Sequence, residues 1–195
     1  MFRPDPISWL QFSTFWAIVL VGGIALVRAA RGRDGAKPAK KSRASAVGIA
    51  VQCIGFISCG IGPVRVVLPW NAPLSLICAA VVALLGGGAV AIFIAATRAM
   101  GRNWSVVARM RSDHELVRTG PFAIVRHPIY FALFLYMLSF AVAFGHSAQL
   151  LLAVPLYCAG TIIRVREEER LLRARFGEGH ARYVREVPAF LPFSR

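Results

Sequence analysis

The sequence is short of acidic residues: Asp and Glu together number 9, against 23 Lys and Arg, in 195 residues. Charged residues make up 16% of the chain and hydrophobic residues 57%. A soluble domain has roughly 25% charged and roughly 45–50% apolar residues. This shortage of charge argues against an ordinary soluble domain and predicts a membrane protein, short enough to form one domain.

Other features are missing as well. The four cysteines form no CxxC pair and lie inside apolar runs, which predicts small buried side chains and argues against a metal site or a disulfide framework. No GxGxxG motif follows a strand, and there is no internal repeat of the kind that transporters often show. Only Arg3 precedes the first apolar run and no small-residue cleavage site ends it, so we expect a retained membrane helix and not a signal peptide.

The positive charges lie between and after the apolar runs. Seven Lys and Arg fall in 28–43, six in 98–126, and most of the rest after residue 164. Cytoplasmic loops have this pattern under the positive-inside rule, which favours contact with anionic membrane lipids over nucleic-acid binding. We expect no nucleic-acid partner, and no obligate protein partner is evident.

The apolar runs predict an all-α integral membrane protein with about five transmembrane helices. Three runs are near the roughly 20 residues that cross a bilayer, and two shorter ones, separated by only three residues, predict a tight helical hairpin. The runs are 7–27, 46–68 (interrupted by Gly62, Pro63 and Arg65), 73–96, 129–144 and 148–163. Five spans place the N-terminus outside and the C-terminus in the cytoplasm, and four spans with an interfacial hairpin are the alternative.

The stretch "RHPIY", 126–130, puts polar groups where an apolar run begins. Pro128 suits the first turn of a helix, so His127 lies at the cap and Tyr130 one turn further on. Their side chains can converge beside free backbone N–H groups, which attract anions. The alternative is an anchor in the membrane interface, with Arg126 reaching the headgroups and Tyr130 acting as an interfacial aromatic.

Three of the nine acids come together in "RVREEER", 164–170, directly after the last apolar run. Arg164, Glu167 and Glu168 are related by helical spacing, so one face carries a cation and two carboxylates. Acids near hydrocarbon tend to mark function, although a network of ion pairs within the helix is the alternative.

A third cluster, 101–122, contains His114 and a Gly120-Pro121 turn signal, and could fold over a ligand. An anion-binding helix start, imidazoles and a carboxylate pair at a membrane surface fit S-adenosylmethionine. Spacing alone does not distinguish this ligand from a nucleotide.

The motifs "HELVRTGPF", "RHPIY" and "EEERLLRARFG", with a closing "PAFLPF", closely resemble the isoprenylcysteine carboxyl methyltransferase family and the related phospholipid methyltransferases. The resemblance covers about 100–193. It implies a multi-pass helical fold in which the last membrane hairpin and the C-terminal segment build an S-adenosylmethionine pocket, while a lipid substrate enters from the bilayer. On this basis we divide the chain into 1–99, three membrane helices with a basic cytoplasmic loop at 28–45, and 100–195, a catalytic half with a cofactor loop, the hairpin 129–163 and a cytoplasmic tail.

The resemblance also implies roles for residues. The cofactor would be bound by Arg109 (in a loose alignment), His114, Glu115, Leu116, Val117, Phe122, His127, Pro128, Ile129, Tyr130 and Glu168. Arg164 would be the substrate-side arginine. The family usually has Tyr where this chain has Phe122, so ring stacking could survive there but a hydroxyl hydrogen bond could not.

The sequence leaves two kinds of methyl acceptor as alternatives for such an enzyme, a carboxylate and an amine. A carboxylate, as in an isoprenylcysteine-like or other lipid substrate, is already anionic and needs only a cation, Arg164 or Arg126, to hold it. An amine, as in a phospholipid N-methyltransferase, must lose a proton, for which Glu167 or a histidine would be the base. Arginine enrichment favours the carboxylate. A nicotinamide-dependent membrane reductase and a non-enzymatic membrane protein are the other hypotheses, and a bacterial inner membrane or the endoplasmic reticulum would suit the topology.

Overall fold

Six α-helices make up most of the chain that the computed structural model describes, namely residues 4–31, 42–104 and 115–190. In order they are α1 Trp9–Arg31, α2 Arg43–Gly60, α3 Pro73–Met100, α4 Pro128–Phe144, α5 Leu150–Phe176 and α6 Glu178–Glu186. Short 3₁₀ turns lie at Gly101–Asn103, Gly120–Ala123 and Ser147–Gln149. Two two-residue strands, β1 Pro6–Ile7 and β2 Arg65–Val66, pair in parallel.

Local sequence signals set the helix ends. Before α1, Ser8 and Gln11 cap each other. The Gln11 N–H donates to Ser8 Oγ and the Ser8 N–H donates to Gln11 Oε1, each at a distance of 3.4 Å. Ser42 caps α2 by accepting from the Ser45 N–H at 3.2 Å. Proline opens both α3 and α4, where its missing N–H has no cost. Gly145, with φ at 70°, ends α4 in the left-handed conformation that glycine adopts most easily.

The protein is an all-α membrane protein, as the sequence predicts. Within the described residues, four helical segments are long and apolar enough to cross a bilayer: Trp9–Ala30, Arg43–Gly60, Pro73–Met100 and Ser147–Phe176. The fifth apolar helix, α4, has 17 residues, which gives a length of about 25 Å against the roughly 30 Å of a hydrocarbon core. The choice between five spans and four with an interfacial hairpin therefore stays a prediction.

Two boundaries differ from the sequence prediction. The second apolar run, 46–68, is not one helix, because α2 ends at Gly60 and the chain then turns through Gly62, with φ at 144°, into β2. The apolar run 148–163 is only the first part of its helix, which continues without a break to Phe176, so the three glutamates share one helix with the apolar segment before them.

Helices from the two halves of the sequence pack in pairs: α2 lies along α5, and α3 lies along both α4 and α1. One buried cluster, Cys59, Met137, Ala141, Ala153 and Tyr157, fills the space between α2, α4 and α5. All four cysteines are free, but only Cys59 is buried, while Cys53 and Cys158 are exposed. The prediction of four buried cysteines is therefore wrong for these two, because α2 and α5 each leave an apolar face uncovered by protein.

The α2–α5 and α3–α4 pairs bring the start of α4 beside the second half of α5, and α6 follows α5 after a turn at Gly177. At the other end of the bundle, the N-terminal stretch closes the α4–α5 turn, where the Asp5 N–H donates to the Gly145 carbonyl at 2.8 Å. The polar clusters predicted at 126–130 and 164–170 thus lie at one end of the bundle.

Candidate active site

The start of α4 is held by the C-terminal stretch of the chain. The Arg126 N–H donates to the Pro188 carbonyl at 2.8 Å, and the His127 N–H donates to the Ala189 carbonyl at 3.0 Å. The backbone N–H groups of the cap residue, His127, and of the residue before it are therefore occupied by protein carbonyls. The His127 ring, 5% exposed, also packs against the Phe190 ring with centroids 5.6 Å apart. Backbone pairing thus fixes the position of His127.

Tyr130 and His127 both meet Glu168 on α5. The buried Tyr130 hydroxyl donates to Glu168 Oε1. Nδ1 of His127 lies 3.8 Å from Glu168 Oε2. The Glu168 side chain is 28% exposed, the most open member of this group, so it forms an accessible carboxylate with an imidazole and a phenol beside it. This is the convergence that the RHPIY motif and the run of glutamates at 167–169, which we call the EE motif, predict.

The neighbouring acid, Glu169, binds three basic side chains, and we call Glu169, Arg126, His127 and His180 the Glu169 cluster. Oε1 lies 2.9 Å from Arg126 Nε and 2.9 Å from His127 Nε2, and Oε2 lies 2.9 Å from His180 Nε2. The His180 contact is short but is not aligned as a hydrogen bond. An ionised carboxylate only accepts, so His127 Nε2 carries a proton toward Glu169. In the neutral imidazole the lone pair is then on Nδ1, which faces Glu168.

The Glu169 cluster also anchors α6. Arg126 NH1 donates to the carbonyls of Val184 at 3.2 Å and Val187 at 2.5 Å, which satisfies the C-terminal end of that helix. His180 is 1% exposed in the side chain, and this burial lowers its pKa below the ordinary value because the imidazolium loses hydration. Arg126, with its 14% exposed side chain, is thus engaged both by Glu169 and by the end of α6.

A second contact joins α6 to the loop before α4. The Tyr183 hydroxyl donates to the Phe122 carbonyl at 2.6 Å, and both residues are buried. Burial raises the pKa of Tyr183 to about 12, so the phenol stays protonated and able to donate at neutral pH. The Arg118 guanidinium lies over the Tyr183 ring, 5.4 Å from its centroid, and also pairs with Glu186. These contacts fix the loop 115–126 against α6.

Arg164 lies on the α2 side of the site. Its NH1 donates to Gln52 Oε1 at 2.8 Å, and its guanidinium carbon lies 4.9 Å from the centroid of the Tyr130 ring, which is cation–π distance. Tyr130 is held in turn by Tyr157, whose hydroxyl donates to the Tyr130 carbonyl at 2.6 Å. Arg164, Tyr130 and Glu168 therefore form a continuous line of contacts.

Glu167 has a different environment from the two acids that follow it. Its two carboxylate oxygens accept from Arg170 at 2.8 and 2.9 Å, and the Arg170 side chain is 68% exposed. This is the ion pair within the helix that the sequence left open as an alternative, and it joins Glu167 to Arg170.

With this geometry established, comparison with known proteins decides the family. Residues 76–174, about half of the chain, match the model of the isoprenylcysteine carboxyl methyltransferase (ICMT) family. The chain belongs to this family. It is also 31% identical over 87 residues to the protein-S-isoprenylcysteine O-methyltransferase of Schizosaccharomyces pombe, a match that covers 45% of this chain and 37% of that relative. The matched part therefore spans just over a third of the relative's length.

The extent of the ICMT match differs from the resemblance read from the sequence. The match begins within α3, earlier than residue 100, and ends within α5, so α6 and the residues after it lie beyond it. The whole of α2 lies outside the match as well. Helix α2 nevertheless contacts Arg164, and α6 contacts Arg126 and Glu169.

The residues that the family resemblance implies for cofactor binding fall in three places. Arg109 and His114 lie outside the described residues. Glu115 is exposed, with its carbonyl accepting from Asn103 Nδ2 at 3.4 Å, and Leu116 and Val117 are half-buried in the same loop. Phe122 is buried beneath α6, and Pro128 and half-buried Ile129 lie with His127 and Tyr130 at the start of α4. The cofactor role of each residue stays a prediction.

Sequence reasoning missed three residues that hold this ICMT-family site together: Glu169, His180 and Gln52. Glu169 was included in the EE motif but received no role, because adjacent glutamates on a helix differ by about 100° in direction and the sequence does not fix the rotation of the helix. His180 could have been found as the only histidine of the polar tail, and Gln52 as the only amide within the apolar sequence of α2.

Proposed function

We propose that this chain is a membrane methyltransferase that transfers a methyl group from S-adenosylmethionine to a carboxylate of an isoprenylcysteine-like or other lipid substrate. Family membership supports the reaction class. The observation that carries the proposal is the convergence of His127, Tyr130 and Glu168 at the end of the bundle where Arg164 also lies.

The side chains at this convergence suit the charged end of the cofactor. Two acceptors, His127 Nδ1 and Glu168 Oε2, lie 3.8 Å apart, which lets one ammonium group donate to both. A sulfonium compound with a primary ammonium group is a cation that such a pair would hold. S-adenosylmethionine supplies an electrophilic methyl group to the acceptor when bound. The protein's contribution is then to position and orient the two reactants.

Arg164 is the residue that we assign to the acceptor. The other candidate, Arg126, is engaged by Glu169 and by the end of α6. Arg164 lies over Tyr130 on the side of the site nearest α2, directly after the apolar segment of α5, along which a lipid would arrive. A guanidinium can bind a carboxylate through two parallel hydrogen bonds, which fixes the attacking oxygen without a general base.

The geometry of Glu167 favours a carboxylate acceptor over an amine. An amine acceptor needs a base to remove its proton, and Glu167 or a histidine was proposed for that step. Both oxygens of Glu167 bind Arg170 instead. Of the histidines at the site, we assign His127 to the cofactor, and His180 is buried against Glu169. A carboxylate acceptor requires no such base, and the remaining residues of the site suffice for it. We further propose that the active site faces the cytoplasm, with the lipid substrate entering from the bilayer.

Calorimetric titration of S-adenosylhomocysteine into the detergent-solubilised protein tests the cofactor assignment. We expect His127→Ala and Glu168→Gln each to weaken binding by about tenfold or more, the effect of losing one charged contact. Glu178→Gln, an exposed acid on α6, is the matched control and should bind as the wild type does. Unchanged affinity in both site variants would refute the assignment, and a thermal shift with NADPH but not with S-adenosylhomocysteine would support the reductase instead.

Incubating membranes with methyl-labelled S-adenosylmethionine, followed by mass spectrometry of the labelled lipid, identifies the acceptor. A methyl ester formed on a carboxylate releases its label as methanol in mild alkali. A methyl group on nitrogen survives that treatment. Alkali-stable label in the lipid fraction would therefore replace the carboxylate proposal with the amine alternative.

A further inference from the structure

Gln52 places a polar side chain inside an apolar helix. It lies nine residues beyond the start of α2 at Arg43, which puts it about 14 Å along the helix axis. Its side chain is buried, 5% exposed, and both ends are hydrogen bonded across to α5. Nε2 donates to Thr161 Oγ1 at 2.7 Å, and Oε1 accepts from Arg164 NH1 at 2.8 Å. Polar groups at such depth are costly unless paired, and they tend to mark functional positions.

The packing of α2 against α5 is shaped around this contact. A Cβ added to Gly48 would lie 2.5 Å from Cγ of Arg164, and one added to Gly160 would lie 2.7 Å from Cγ of Gln52. The absence of side chains at these two glycines therefore makes room for the stem of the arginine and for the stem of the glutamine. Small residues let membrane helices approach closely enough for hydrogen bonds to form between them.

Gln52 fixes the direction of the Arg164 side chain. An arginine has several rotatable bonds, and holding it in one rotamer costs up to about 2 kcal/mol of conformational entropy. The amide oxygen of Gln52 restricts the guanidinium to the position 4.9 Å from the Tyr130 ring, and Tyr130 in turn donates to Glu168. Thr161 holds the other end of the amide and so sets which end faces the arginine.

A neutral amide differs from a carboxylate at this position in one respect. It accepts the same hydrogen bond from the guanidinium but adds no negative charge beside it. An arginine held by an amide oxygen therefore keeps its attraction for an anionic ligand, whereas a glutamate at the same place would compete with that ligand.

We propose that Gln52 is a positioning residue that orients Arg164 toward the acceptor and makes the site selective for an anionic lipid headgroup. This inference rests on the proposed function, and it extends the site into α2, outside the part of the chain that matches the family. If Gln52 served only to pack α2 on α5, its loss would lower stability without changing the discrimination between charged and neutral acceptors.

The test measures binding of S-farnesylcysteine and of its carboxamide, which differ in the charge of one group. Titrations are carried out with detergent-solubilised wild type, Gln52→Glu and Gln52→Leu, with S-adenosylhomocysteine as a separate ligand. Ser58→Ala is the control in the same helix, because the Ser58 hydroxyl donates to the Gly55 carbonyl of its own helix, one turn earlier. Thermal unfolding of each variant reports on packing.

We expect the wild type and Ser58→Ala to bind the acid about tenfold more tightly than the carboxamide, the value of one retained charge contact. Gln52→Glu should bring this ratio close to one while affinity for S-adenosylhomocysteine stays within about twofold. Gln52→Leu should also reduce the ratio, because the arginine is no longer held in one rotamer.

The possible failures are distinct. If the wild type binds S-adenosylhomocysteine and prefers the acid, but both Gln52 variants keep that preference and only unfold at lower temperature, then Gln52 is a packing residue and the proposed function stands. If the wild type binds neither S-adenosylhomocysteine nor S-farnesylcysteine, the proposed function fails and the role of Gln52 is refuted with it.

Discussion

Replacing Glu169 should destabilise the protein more than replacing Glu167 or Glu168, the other two glutamates of the run. Glu169→Gln keeps the shape of the side chain but removes the charge that faces Arg126, His127 and His180 at 2.9 Å. Breaking a buried ion pair on one side costs about 3–5 kcal/mol. Glu169 is 18% exposed and Arg126 14%, so water screens part of this loss and we expect about 2–3 kcal/mol. A chain of this size loses about 2–4 °C in Tm per kcal/mol, so Tm should fall by about 4–12 °C.

The matched control is Glu167→Gln, on the same turn of α5. The Glu167 side chain is 11% exposed, but its charged partner in the helix, Arg170, is 68% exposed and regains water when Glu167 is neutralised. That change should cost about 0.5 kcal/mol, or about 1–2 °C in Tm. The assay is thermal unfolding in one detergent at pH 7.5, followed by tryptophan fluorescence. Equal decreases in Tm for the two variants would refute the assignment of Glu169 as the main electrostatic contact between α4, α5 and α6.

Two further predictions concern α6 and α3. Because burial holds the pKa of His180 below its ordinary value, the unfolded chain binds a proton more readily than the folded one, so stability is full above about pH 6.5 and falls as the pH drops toward 5. His180→Gln should flatten this dependence of Tm on pH in that window, and an unchanged slope would contradict the reasoning. In α3, a Cβ at Gly86 would lie 2.8 Å from Ser139 Oγ and 2.9 Å from Ile18 Cδ1, whereas one at Gly87 meets nothing within 4 Å. Gly86→Ala should therefore cost about 1–3 kcal/mol in thermal unfolding and Gly87→Ala nothing, and equal Tm values would show that α3 does not pack closely there.

Several features of the fold follow from local sequence alone. The start of α4 was predicted from Pro128, which suits the first turn of a helix, and its end at residue 144 from the apolar run 129–144. The break in the second apolar run was visible in Gly62 and Pro63, but its consequence was not. The strand pair formed there joins residues about 60 positions apart in the chain. Two residues are too few to show the alternating pattern from which a strand is predicted.

The candidate site likewise contains some contacts that the sequence predicted and others that it did not. The pairing of His127 and Tyr130 with Glu168 was expected, because the motifs place these side chains at the ends of neighbouring helices. The roles of Glu169 and Glu167 were not separable in the sequence. Glu169 faces the start of α4, whereas Glu167, itself only 11% exposed, pairs with Arg170 on its own helix, and only the rotation of α5 in the bundle distinguishes them.

The sequence by itself determined that this is a helical membrane protein, that its polar motifs lie at one end of the bundle, and that these motifs belong to the ICMT family, since hydropathy, charge and short motifs are properties of neighbouring residues. Tertiary structure decided which groups touch. Close approach of α2 and α5 through Gly48 and Gly160 brings Gln52 to Arg164 across 112 positions. Such a contact depends on helix rotation and separation, which are set by packing between helices and not by the residues within either one.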